Sequence, residues 1–179
     1  FTPQRMPAPE SFLIGTQGMM NAKRNSERIM DRDQHYMKQV LELGEKVKGS
    51  TGDNPWVGCV IVRKDQILGR GTTHPPGGPH AEAAAMEEAW SLGHDLAGAT
   101  LYSTVEPCSF HGRTPSCARA IADSGITRVV SSLRDPHPCV NGEGFRILRE
   151  AGIEIREGVS SDRARELLES WLQSFDCNK

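Results

Sequence analysis

The chain is predicted to fold as an α/β domain of three layers, α/β/α, around a mixed, mostly parallel five-stranded sheet. Two observations lead there. Short apolar runs rich in β-branched residues alternate with stretches of helical periodicity, and Gly- or Pro-containing loops part them. The 179 residues suffice for one hydrophobic core and leave no room for a second domain.

Residues 1–30 hold three prolines and little periodicity. They are expected to form an N-terminal extension, mobile or draped over a domain at 31–179. They lack the basic start and apolar block of a secretory signal. From Arg32 to Lys48, Met37, Val40, Leu41 and Val47 recur at helical spacing, with Asp31 or Asp33 as a cap. Val57–Val62 reads as a buried strand, and Ile67–Gly71 as its hairpin partner across Lys64-Asp65-Gln66. A shaped loop at Thr72–Pro79 leads into a helix from about His80 to Leu92, where Ala83, Ala84, Ala85 and Met86 favour helix. Strands follow at Thr100–Val105, Thr127–Leu133 and Ile153–Arg156. Helices are expected at Pro115–Ser124, Gly144–Ala151 and Asp162–Phe175, the last as one amphipathic piece.

Composition narrows the function. Lys and Arg number 21 against 23 Asp and Glu, a net charge of −2. That balance gives no general attraction to nucleic acid or to an anionic membrane, and no apolar run is long enough to span a bilayer. Five cysteines are an odd count for a disulfide framework and point to a reducing compartment, cytoplasmic or, in a eukaryote, also nuclear. Cys59 reads as a buried small hydrophobe, and Cys139 and Cys177 as bystanders.

The chemistry gathers in His80-Ala-Glu82, Glu106-Pro107-Cys108 and Cys117. One imidazole and two thiolates suit zinc and leave its fourth tetrahedral position to water, whose pKa zinc lowers to about 7. Glu82 can then move protons as a non-ligand, which is the equipment of a hydrolytic deaminase. Side chains two apart on an ideal helix diverge by about 200°. His80 and Glu82 can therefore share a pocket only where the helix begins. A purely structural zinc module would need four protein ligands, and His111 could supply the fourth. A nucleic-acid editing deaminase would share the zinc chemistry but would call for a basic surface.

Gly78-Pro79-His80-Ala81-Glu82, followed by Glu106-Pro107-Cys108-Ser109-Phe110-His111-Gly112-Arg113-Thr114-Pro115-Ser116-Cys117, resembles the pyrimidine deaminases of riboflavin biosynthesis, part of the cytidine-deaminase-like superfamily. The long insert between the cysteines is distinctive. Asn54-Pro55-Trp56-Val57-Gly58 and Asp135-Pro136-His137-Pro138 are similar to two further family segments. The resemblance implies a cytidine-deaminase-like fold and one zinc per chain held by His80, Cys108 and Cys117, with Glu82 as proton shuttle. It implies that Asn54 meets the pyrimidine and that Arg113 takes the substrate phosphate with its guanidinium fork. Ser109, Asp135 and His137 would line the ring and sugar-phosphate part of the pocket, with His74 and His111 among the substrate contacts. The implied partners are a phosphorylated pyrimidine and a second copy of the chain, with no nucleic acid and no membrane.

Three positions depart from the family: His74 is displaced by one, Phe110 stands where many members have His, and His137 replaces an Asn. The metal shell is intact while the sugar-phosphate shell differs. The expected reaction is removal of the 2-amino group from a 2,5-diamino-6-(ribosylamino or ribitylamino)pyrimidinone 5′-phosphate. A stand-alone deaminase with an altered sugar pocket leans toward the ribityl form.

Overall fold

The computed structural model describes residues 11–110, 116–137 and 140–174, with side chains from residue 18 onward. The chain divides into two units, residues 1–33 and 34–179. In the first, helix runs from Ser11, and residues 18–32 are all exposed. Helix α1 (Ser11–Lys46) therefore begins some twenty residues before the expected start. Lys, Arg, Glu, Ala and Met sustain helix on propensity alone, with no apolar stripe for a periodicity reading to detect.

In the second unit the end of α1 buries Tyr36, Met37, Val40 and Leu41 on one face. Five strands follow: β1 (Gly58–Arg63), β2 (Gln66–Thr72), β3 (Thr100–Val105), β4 (Arg128–Leu133) and β5 (Glu154–Glu157). Between and after them lie α2 (Ala81–Ser91), α3 (Cys117–Asp123), α4 (Glu143–Glu150), α5 (Ser161–Leu167) and α6 (Glu169–Gln173). Each lies within a few residues of its expected place. The last helix is the exception, since it is interrupted at Leu168, where φ is −100° and ψ 13°.

The sheet order is β2-β1-β3-β4-β5. β1 pairs antiparallel with both β2 and β3, whereas β3-β4 and β4-β5 are parallel. The sheet is mixed, as expected, but parallel in half its joins rather than most. Strand alternation sorts the layers. Gly58 lies so close to α1 that a Cβ there would sit 2.1 Å from the Val40 carbonyl oxygen. Its neighbour Cys59 pairs with Gly71, where a Cβ would sit 2.1 Å from the Ala81 oxygen of α2. Successive residues face opposite sides of a strand, so α1 and α2 cover opposite faces. Among the described residues no helix is long and apolar enough to cross a membrane.

These directions build one functional edge. β3 and β4 run together, so the segments after Val105 and Leu133 leave at the same end of the sheet. β1 runs against β3, which brings Asn54–Val57 to that end. β2 runs against β1, so Thr73 and the start of α2 arrive there too. Open α/β sheets bind ligands at this carboxyl edge.

Candidate active site

His80 is the N-cap of α2, with extended backbone at φ −73° and ψ 163°. Because it stands outside the helix, the divergence expected of i and i+2 side chains does not apply. His80 and Glu82 therefore line the same cavity, of about 230 Å³. Cys108 follows β3 and Cys117 opens α3, with Ser116 capping that helix by accepting from the Arg119 N–H. The Ser116 hydroxyl also donates to the Cys108 carbonyl at 2.9 Å, tying the two cysteine segments together.

The three donor atoms converge. His80 Nδ1 lies 3.5 Å from both Cys108 Sγ and Cys117 Sγ, and all three atoms fall within 4.8 Å of one another. Among the described residues this is the one group of three or more His, Cys, Asp or Glu placed to hold an ion. Hydrogen bonding from the Cys117 thiol, aided by His80 and the Cys117 N–H, brings Cys108 down to about 4. The Cys117 thiol is pushed up for the same reason, since it keeps the proton that Cys108 shares. The hydrogen bond to Cys108 also raises His80. One nitrogen and two sulfurs, one already a thiolate, form a donor set that fits zinc, and an ion would displace the shared proton.

Glu82 is buried at 5 % exposure and is not one of the three clustered donors. Burial is the main cause of its raised pKa. Ser103 Oγ donates to Glu82 Oε1 at 2.9 Å. The sheet register explains this contact: Ser103 pairs with Cys59 and so faces the α2 side. The sequence offered no sign of Ser103, because its partner is 21 positions away and only the register aligns them.

The remaining expected residues divide into groups. Asn54, Asp135 and His137 line the cavity. Asn54 Nδ2 donates to the His74 carbonyl at 3.0 Å, and the His137 N–H donates to Asp135 Oδ1 at 2.8 Å. Burial raises Asp135 to about 6. His74 is exposed and off the lining, and its backbone oxygen anchors Asn54. Ser109 is half-buried and also off the lining. His111 and Arg113 lie outside the described residues. The lining also holds Thr73 and Trp171 of α6, which the sequence did not single out, and Phe110, whose ring centre is 6.0 Å from that of His137.

Fold and site together define an α/β domain that carries a three-donor metal centre beside a buried acid–base group. Residues 30–133 match the family described as the cytidine and deoxycytidylate deaminase zinc-binding region. The chain belongs to that family, and zinc is the ion its donors fit. It is 48% identical over 144 residues to the riboflavin biosynthesis protein RibD of Aquifex aeolicus, covering 80% of this chain and 40% of that protein. A solved diaminohydroxyphosphoribosylaminopyrimidine deaminase/5-amino-6-(5-phosphoribosylamino)uracil reductase of Thermotoga maritima is 41% identical, with a TM-score of 0.78 over 82% of this chain and 42% of that one. The Rib2 deaminase of Aspergillus oryzae, solved in complex with DARIPP, is alike in fold alone, at 20% identity and a TM-score of 0.59 over 79% of this chain and 98% of that one. The chain thus spans about 40% of the length of the RibD relative it matches.

Proposed function

We infer that the chain deaminates a 2,5-diamino-6-(ribosylamino)pyrimidinone 5′-phosphate in riboflavin biosynthesis. The observation that carries this reading is the buried Glu82 carboxyl opening into the same cavity as the His80–Cys108–Cys117 cluster. Similarity supports the ribosyl sugar. The relative named for a phosphoribosylamino pyrimidine is 41% identical. The ribosyl form is therefore preferred over the ribityl form that the altered sugar pocket suggested.

Zinc, when bound by His80, Cys108 and Cys117, supplies Lewis acidity and a water of lowered pKa. Glu82 accepts a proton from the attacking water and delivers it to the ring nitrogen beside the 2-amino carbon. It then takes the remaining proton from the added hydroxyl and passes it to the amino group as ammonia leaves. One water is consumed, and a ring carbonyl replaces the amine. Burial suits Glu82 to this exchange, because a carboxyl raised above its ordinary range takes up a proton more readily than an exposed one. In this reading Asn54 orients the pyrimidine, Asp135 and His137 face the sugar, and Arg113 holds the phosphate. A homodimer in the cytoplasm goes with the reading, and sedimentation of the purified chain tests the dimer.

Ammonia release from the ribosylamino and ribitylamino phosphates, measured on zinc-loaded protein, decides the substrate. A higher kcat/KM on the ribosylamino phosphate is expected. Preference for the ribityl form would reverse the assignment, and release from neither would remove it.

A further inference from the structure

We propose that Glu106 is a positioning residue: its carboxylate pins both ends of the segment that carries Asp135 and His137 into the cavity, and so sets substrate affinity. Glu106 is 3 % exposed at the end of β3, immediately before Pro107-Cys108. Its Oε2 accepts from the Asp135 N–H at 3.3 Å and from the Gly142 N–H at 2.8 Å. Its Oε1 accepts from the Phe145 N–H at 3.2 Å. Asp135 begins the segment, while Gly142 and Phe145 mark the start of α4, where the segment ends.

Gly142 is the N-cap of α4 and has no side chain to cap it. The helix start therefore depends on a carboxylate from another element, 36 and 39 positions earlier. That carboxylate meets N–H groups at the N-cap and third helical positions, the donors a local capping box would serve. Its charge also faces the positive helix end. The fit is close: a Cβ at Gly144 would lie 2.0 Å from the Pro107 oxygen and 3.1 Å from Glu106 Oε1. The Glu106 N–H donates to the Leu133 oxygen at 2.9 Å, so its own backbone is held in the sheet. A rigid strand end thus fixes the cavity wall facing the metal cluster. Both carboxylate oxygens are committed to backbone donors, so Glu106 acts through Asp135 and His137.

An amide at position 106 would turn an NH₂ toward at least one N–H. The test compares zinc-loaded E106Q with the unaltered chain. Amide hydrogen exchange is followed at Asp135, Gly142 and Phe145, and steady-state kinetics are measured on the ribosylamino phosphate. Exchange at the three amides should quicken by about tenfold or more. KM should rise about tenfold while kcat stays within about threefold, since the displaced wall meets the sugar and not the reacting carbon. Zinc content should stay unchanged. A merely structural role would lower the amount of active protein without separating KM from kcat. Should E106Q not fold, Glu106→Asp carries the test: it keeps the charge and shortens the reach, and the same two readouts apply. Unchanged exchange at the three amides, or a fall in kcat with KM unmoved, overturns the proposal. The kinetic half rests on the deaminase reading above and the exchange half does not. If the unaltered chain turns over neither phosphate, that reading fails, and exchange alone decides the role of Glu106.

Discussion

Burying a carboxyl is costly, and this chain does so at Glu82, which the Ser103 hydroxyl and a backbone N–H support. A structural domain gains nothing from that arrangement, whereas a proton carrier needs it. Glu82→Gln should keep the fold and the zinc content while lowering kcat by about 10²- to 10⁴-fold; residual turnover within tenfold of the unaltered chain would move the proton chemistry elsewhere. Asp135 allows a test by pH. Its carboxyl is raised from 3.8 to about 6, chiefly by burial. A folded-state pKa above the unfolded one means that the folded protein binds the proton more tightly. The associated stability is complete below about pH 4 and is lost as pH rises through about 6. Asp135→Asn keeps an oxygen for the His137 N–H and removes the titration. Urea denaturation at pH 4 and pH 7 should show the variant gaining on the unaltered chain by about 1–3 kcal/mol between the two. A constant difference at both pH values would mean that the carboxyl is solvated when charged.

Helix α2 carries Glu82 and begins at its N-cap His80, so its position on the sheet sets the site. Two glycines of β2 let it approach: a Cβ at Gly69 would lie 2.2 Å from the Ala85 oxygen, and one at Gly71 would lie 2.1 Å from the Ala81 oxygen. Backbone cannot yield as a flexible side chain can. Gly71→Ala should therefore cost about 1–3 kcal/mol, and the lifted helix start should weaken zinc retention as well. Thermal melting and metal content after dialysis read both effects, and a variant that melts like the unaltered chain would show that the seam has slack. The strands and most helices were legible because short β-branched and apolar runs alternate with stretches of helical periodicity, and the structure reproduces Thr100–Val105 at both ends. The start of α1 was not, because residues 18–32 form helix with no buried face to imprint a pattern. The break at Leu168 was also hidden. No Gly or Pro marks it, and its N–H still bonds the Ala164 oxygen at 3.0 Å.

For the molecule as a whole, what the sequence revealed about the site depended on how its parts are stored. The metal donors sit in short motifs, so His80, Cys108 and Cys117 were readable before any fold was known. Other parts of the site come from distant elements: Ser103, which reaches Glu82 through the sheet register, Glu106, which holds the start of α4, and Trp171, which lines the cavity from the last helix. No local pattern announces such partners. The site also links metal to stability. A ligand that binds only the folded state stabilises it by about 4 kcal/mol when present at roughly a thousand times its Kd. For a chain of this size each kcal/mol moves the melting point by about 2–4 °C. Chelation at pH 7.5 should therefore lower Tm by about 8–16 °C and abolish ammonia release, and added zinc should restore both. Ligation requires thiolates and expels the proton that Cys108 and Cys117 share, so the zinc-dependent gain in Tm should grow as pH rises from 6 to 8. A chelated, metal-free protein that melts within a degree of the loaded one would mean that the three donors do not hold the ion in the folded chain in preference to the unfolded one.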